Sequence, residues 1–506
     1  MTSPSTGPET GGPPQPEPAA AAGRALAWSL TNTVVARVGT MAIGVVLARI
    51  LGPAEFGTYA VAFVALVALL SFNELGVSLA IVRWPDDPVA IAPTVTAVSV
   101  LTSLALTGAA WGAAPWFAAA MGDPGATGVV RLLSLCVLVN GVVATPAALL
   151  QRAFRQDQRM VADQVNVWVG AGVSVALALA GCGAWSLAYG RLAGSLLSAV
   201  LLVRYAPLPL RLGLDRAHLP GLLAFGLPLA GASVVIFVVG FVDQLLVGMV
   251  LGPVLLGYYV LAVNLSGWPV SMFSQPLRSV APALFSRLRH DPDRMRGDLQ
   301  RLLRPLAVVS VPLCGLLAVT AEPVVRFVYG AQWAPAAEAL RWLAVLAAVR
   351  ILTELAYDYL VVLGRSRALL AMQCAWIAAL VPAVWVGVRL DGIGGAALAL
   401  AAVGVLVGLP LHVRELHRAG VAVTSLGRAV RPALLLAAGV AAAGALVVGI
   451  GAGDLVTLAG CGTGAVVAVG AVLWRHRGDL DVVRGPRTPR GHRAARSHRL
   501  TTVGRG

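Results

Sequence analysis

Long apolar runs separated by short polar connections fill almost the whole chain. Runs of about 20 residues, long enough to cross a bilayer core as a helix, recur from residue 26 to residue 474. Fourteen spans are predicted, at 26–50, 57–82, 90–112, 127–149, 161–181, 185–203, 222–249, 254–284, 305–328, 336–362, 368–388, 393–413, 432–450 and 454–474. The eighth exceeds what a bilayer needs and holds Pro269, Pro276 and Pro282, so a kink or a projection beyond the membrane is expected there. The fold class is all-α, a polytopic membrane protein.

Polar connections between the runs alternate in charge. Every second one is rich in arginine: Arg152, Arg155 and Arg159; Arg204, Arg211 and Arg216; Arg287, Arg289, Arg294, Arg296 and Arg301; Arg365 and Arg367; Arg414, Arg418, Arg428 and Arg431. Intervening connections such as those at 51–56, 113–126, 250–253 and 329–335 have none. By the positive-inside rule this asymmetry puts both termini in the cytoplasm of a cell whose plasma membrane the chain crosses.

The pattern is also written twice. Leu51 to Ala62 reads LGPAEFGTYAVA and Leu251 to Ala262 reads LGPVLLGYYVLA, each between two apolar runs. Six predicted spans separate the copies. An even number gives both the same orientation, hence parallel repeats about an axis normal to the membrane. The expected organisation is a disordered cytoplasmic tail (1–23), an N-lobe of spans one to six (24–205), a C-lobe of spans seven to twelve (206–418), two extra helices (419–475) and a basic disordered cytoplasmic tail (476–506). The two lobes are pseudo-symmetric.

Composition narrows the chemistry. Hydrophobic residues are 58% and charged residues 12% of the 506, which leaves no room for a large soluble domain. All 38 basic residues are arginine. Without lysine neither a GxxxxGK[ST] phosphate loop nor a Schiff-base lysine can be written, so any transport must draw on a gradient or potential. Cys136, Cys182, Cys314, Cys374 and Cys461 are scattered singly, without metal-site or disulfide spacing, and no cofactor or metal is expected. The arginines from Arg475 onward suit anionic lipid headgroups; without aromatics they do not suit nucleic acid.

The phrase Arg49-Ile-Leu-Gly-Pro-x-Glu-Phe-Gly-x-Tyr59, the pair Asp243-Gln-Leu-Leu-Val-Gly and Leu251-Gly-Pro-x-x-x-Gly-Tyr258, and the span number together resemble bacterial polysaccharide transporters. These are the Wzx-like flippases of the multidrug/oligosaccharidyl-lipid/polysaccharide exporter superfamily. The resemblance implies a two-lobed carrier, not an enzyme, with no catalytic residues. It implies a lipid-linked glycan as substrate, moved across the cytoplasmic membrane by alternating access. A cationic cavity matching a diphosphate and acidic sugars, and work beside polymerase and glycosyltransferase machinery, are implied as well. A lipid II flippase and a multidrug antiporter of the same superfamily are the neighbouring alternatives. A membrane glycosyltransferase or glycan ligase is the enzyme alternative, but the outward connections are short and all seven histidines fall in predicted cytoplasmic segments or, for His412, at the cytoplasmic end of a span.

Charges inside apolar runs are the candidate site, because each costs at least about 2.5 kcal/mol in the membrane unless it meets a cavity or a partner. Arg37, Asn73, Glu74, Arg191, Arg278 and Arg350 are the candidates for substrate contact, and Asp243, Glu354 and Asp358 for ion coupling. In the tenth span Arg350, Glu354, Tyr357 and Asp358 share one helical stripe. That stripe reads either as a self-compensating pair or as a headgroup contact beside a proton or cation site. Asn140, Asn166, Asn264 and Gln373 are expected in interhelical hydrogen bonds.

Overall fold

A computed structural model describes residues 18–73, 77–83, 88–288, 291–449 and 453–475. Side chains are described from residue 39 on, apart from 77, 79, 83, 279, 280, 283, 473 and 475. Among the described residues every regular element is helical. In chain order these are α1 (Pro18–Asn73), α2 (Val77–Arg83), α3 (Ala92–Ala120), α4 (Thr127–Arg152), α5 (Gln156–Leu179), α6 (Ala184–Tyr205), α7 (Leu219–Leu251), α8 (Pro253–Pro269), α9 (Gln275–Arg287), α10 (Pro292–Val319), α11 (Ala321–Tyr329), α12 (Ala336–Val362), α13 (Ser366–Val403), α14 (Leu409–Arg418), α15 (Val423–Gly449) and α16 (Asp454–Arg475). Among the described residues eleven helical segments are long and apolar enough to cross a membrane. Two of them are broken, at Gly52 and at Asp391–Gly392, and α12 is equally long but carries more charge.

Boundaries move where local chemistry overrides hydropathy. α1 is described from Pro18 on, within the stretch expected to be a tail, and Ala19–Ala22 there are strong helix formers. The ninth span starts early, at Pro292, capped by the Asp291 carboxylate, which accepts from Arg294 N. It ends at Thr320, and the short α11 follows. The kink expected in the eighth span is a π-helical turn, Val270–Ser274, directly after Pro269. The tails at 1–17 and 476–506 lie outside the described residues.

The two repeat phrases fold alike. Gly52 (φ 74°, ψ 173°) and Gly252 (φ 81°, ψ −179°) each end a helix in a left-handed conformation that costs glycine nothing, and the next residue, Pro53 or Pro253, opens the following helix. Three later pairs of left-handed turns recur in the same order: Gly122 with Gly330, Phe154 with Gly364, and Gly183 with Gly392. A 3-10 turn follows both Gly122 and Gly330. The duplication is therefore carried by backbone geometry well beyond the twelve-residue phrases.

Helices α3 to α6 pack among themselves and on α1, while α12 packs on α8, α10 and α13, and α13 on α7. α15 and α16 lie against α10. The two sets meet where α1 crosses α7 and α8, and there the phrases touch reciprocally. A Cβ on Gly57 would fall 2.1 Å from the Pro253 carbonyl oxygen, and one on Gly257 would fall 2.7 Å from that of Pro53. Glycine is required at both, because the backbones themselves are in contact.

This junction carries the largest core. Trp333 is fully buried in it, edge-on to Phe56 (5.5 Å) and Tyr258 (5.7 Å), and its Nε1 donates to Ala48 O at 3.0 Å. Arg49 Nε donates to Val328 O at 2.8 Å, a helix-end anchor as its place in the phrase suggests, and Gln332 Nε2 returns a bond to Arg49 O. Trp333→Ala is expected to cost about 3–5 kcal/mol, the range for deleting a buried aromatic, read as a lower thermal midpoint in detergent. A midpoint unchanged within error would remove Trp333 from the core argument.

Candidate functional site

Two cavities meet at Arg350 and Val263. The larger, about 840 Å³, lies between the two helix sets and is lined from α1 by Thr40, Met41 and Gly44, from α5 by Asp163 and Gln164, from α8 by Asn264 and Trp268, and from α12 by Arg350. Phe56 and Tyr329, from the aromatic cluster around Trp333, line it too. The smaller, about 490 Å³, lies within the second set and is lined by Asp243, Arg278, Arg350, Glu354, Tyr357, Gln373 and His412, among others. Arg350 lines both. Both π-helical turns, Val270–Ser274 and Gly404–Gly408, contribute to the wall of the smaller cavity. Such turns re-aim side chains and release backbone groups, which is useful where helices must surround a polar space.

Charges in the second cavity are mostly spoken for. Arg278 Nε and Asp358 Oδ2 are 3.2 Å apart, with the carboxylate side chain only 9% exposed and the guanidinium side chain 44%. Asp243 Oδ2 accepts a 2.8 Å bond from the buried Tyr259 hydroxyl. Glu354 accepts a short bond from Ser274 Oγ and is approached by Arg350, whose Nη2 lies 3.7 Å from Oε1. That last contact is loose, and Arg350 is 57% exposed. The stripe of α12 thus divides its labour. Asp358 is committed to α9, Glu354 to the π-turn, and Arg350 is left facing open space.

The first helix set is less convergent. Asn73 Nδ2 donates to Asn140 Oδ1 at 3.3 Å, so Asn140 makes the interhelical bond expected of it. Arg191 is exposed on α6, away from the two cavities. The side chain of Arg37, and Glu74 altogether, lie outside the described residues. Asn264 departs from expectation. It faces the larger cavity, exposed, without a hydrogen bond to another described residue. Sequence reasoning also passed over Asp163, Gln164 and Trp268. Their signal was present as i, i+3, i+4 and i, i+4 spacings on α5 and α8, yet it reads as ordinary packing until the cavity is seen.

Arg278→Ala strands a buried carboxylate. The expected loss is about 2 kcal/mol, below the 3–5 kcal/mol of a fully buried pair because Arg278 is partly exposed. The double variant with Asp358→Asn should recover most of it in thermal unfolding. Failure of the double variant to recover would mean that Arg278 acts through packing.

The family model described as "Polysaccharide biosynthesis protein" matches residues 46–338. The chain is similar to the succinoglycan biosynthesis transport protein ExoT of Rhizobium meliloti, 27% identical over 62% of this chain and 63% of that protein. It is also similar to the lipopolysaccharide biosynthesis protein WzxC of Escherichia coli, 22% identical over 64% and 66% respectively. These matches span about two thirds of the relatives' length or slightly less. Among solved structures, the lipid II flippase MurJ in an inward closed conformation superposes with a TM-score of 0.73, covering 89% of this chain and 99% of that one at 13% identity. At that identity the likeness is one of fold.

Proposed function

Because this chain belongs to the polysaccharide biosynthesis protein family, we propose that it is a flippase moving a polyprenyl-diphosphate-linked oligosaccharide across the bacterial cytoplasmic membrane for cell-surface polysaccharide synthesis. The observation that carries this reading is the large cavity between two similarly built helix sets, with Asp163, Gln164, Asn264 and the half-exposed Arg350 set in its otherwise largely apolar wall. A guanidinium is suited to a diphosphate by its fixed fork of donors. The named relatives in succinoglycan and lipopolysaccharide synthesis point the same way.

On this reading the chain makes fourteen crossings, counting each broken helix as two and including α12, with both termini in the cytoplasm. The first six form the N-lobe, the next six the C-lobe, and α15 and α16 the appendix. The reciprocal phrase contact lies at the outer face, so the cavity is closed outward. Substrate enters from the cytoplasmic side, with Arg350 on its diphosphate and the lipid tail left in the bilayer. Arg37, Asn73, Glu74 and Arg278 are secondary polar contacts along the path, whereas Arg191, away from both cavities, is not one. Binding draws Arg350 from its loose contact with Glu354, and Glu354, with Asp243 in the adjoining cavity and Asp358 behind its Arg278 wall, takes up a proton or cation as the lobes rock. Polymerase and glycosyltransferase partners act on the cargo before and after.

The test is translocation of a fluorescent polyprenyl-diphosphate glycan in proteoliposomes under an imposed gradient. Rates equal to protein-free vesicles under every gradient would sink the reading. Within it, Asp243→Asn is expected to remove the gradient dependence while leaving substrate binding within about twofold, since Asp243 lines the cavity that Arg350 shares and not the larger one. Binding lost in parallel with coupling would instead assign Asp243 a structural role with Tyr259.

A further inference from the structure

We propose that Asn264 and Trp268 on α8, with Asp163 and Gln164 on α5, form a glycan-binding wall of the larger cavity, and that it selects a headgroup whose sugars there are uncharged. The inference rests on the flippase reading and names the substrate class of that site. Asn264, Trp268 and Ser271 follow at i, i+4 and i+7, and Met160, Asp163, Gln164 and Val167 at i, i+3, i+4 and i+7, so each helix turns one face to the cavity. The two faces belong to different helix sets, and a glycan between them touches both. Asn264, Gln164 and the Trp268 indole N–H make no hydrogen bond to a described residue, although all border the cavity. Polar groups held there with unspent donors and acceptors are what a polyhydroxylated ligand needs, and an indole face offers an apolar platform for a pyranose ring.

Depth and charge refine this. Trp268 lies fifteen residues from the start of α8 at Pro253, and Arg350 fourteen from the start of α12 at Ala336, so both sit about 21 Å along their helices from the end where the phrases meet. The sugar platform and the diphosphate contact are therefore level, as a glycan joined directly to the diphosphate requires. Among the described lining residues Arg350 is the one cation and Asp163 the one carboxylate. Asp163 is exposed, and Arg159, one turn earlier and outside the lining, donates to Gln151 Oε1 at 2.9 Å while its charge only partly offsets that of Asp163. A uronic acid beside Asp163 would meet like charge in a half-enclosed space, whereas a neutral sugar hydroxyl can donate to it. This departs from the acidic sugars that the family resemblance implies.

The experiment measures dissociation constants of the full-length protein in nanodiscs for three probes. They are undecaprenyl diphosphate, the same lipid bearing a neutral hexose tetrasaccharide, and that glycolipid with one glucuronic acid. The neutral glycolipid is expected to bind at least about tenfold more tightly than either other probe, the worth of one or two good hydrogen bonds. Trp268→Ala and Asn264→Ala should erase that preference while leaving undecaprenyl diphosphate within about twofold, Trp268→Phe should restore most of it, and Asp163→Asn should admit the glucuronic acid probe. Equal affinity for all three probes, a preference for the acidic one, or a uniform loss in Trp268→Ala and Trp268→Phe would overturn the wall and leave the flippase reading intact. Failure of the wild type to bind any of the three would overturn both.

Discussion

Arg350→Ala is expected to lower translocation of a polyprenyl-diphosphate glycan by about 100-fold, the loss of roughly 3 kcal/mol of charge-assisted contact with a phosphate in a partly desolvated site. The residue stands where the two cavities meet and is the described cation of the larger one. Its contact with Glu354 is 3.7 Å, too long to hold the guanidinium against a competing diphosphate. Arg350→Lys keeps the charge but not the planar fork, and about a tenth of wild-type activity should remain. Glu354→Gln removes the competitor, so substrate should bind more tightly while turnover falls. Tighter binding with slower transport separates this exchange from simple damage, which weakens both. If Arg350→Ala transports like wild type in proteoliposomes, diphosphate recognition must lie elsewhere and the exchange fails with it.

The legibility of this site in the sequence varied by residue. Gly52 and Gly252 could be found because a Gly-Pro step between apolar runs has one structural use, ending one helix and opening another, and it appears twice. Their extension into three more paired turns was hidden, because Phe154 faces Gly364 in that pairing and no residue type marks it. The stripe of α12 was legible from helical periodicity alone, but its division was not. Arg278 and Asp358 pair across 80 positions of sequence, and only packing of α9 on α12 brings them together. Asn264 was misread because an asparagine in an apolar run looks the same whether it bonds a neighbouring helix or lines a cavity.

Gly57→Leu is expected to abolish transport. The Cβ it adds falls 2.1 Å from the Pro253 carbonyl oxygen, a backbone atom with no rotamer to move into. Overpacking in a tight core costs about 1–3 kcal/mol and more where backbone is the obstacle, enough to shift a two-state population by a factor of about 5 to 150. The cost is paid only while the phrases touch, so the conformation closed at this junction is lost and its alternative gains. Ala48, buried beside the junction as the acceptor of the Trp333 bond, reports the change. In a background with the five native cysteines replaced, Ala48→Cys should resist a membrane-impermeant maleimide added from outside and react at least about tenfold faster once Gly57→Leu is present. Gly257→Leu should act in the same direction, because the contact is reciprocal. Gly439→Ala, with nothing within 4 Å of its added Cβ, should change neither labelling nor transport. Unchanged labelling in both junction variants would mean that the phrases do not part during the cycle, and a rocking mechanism pivoting on them would have to be abandoned.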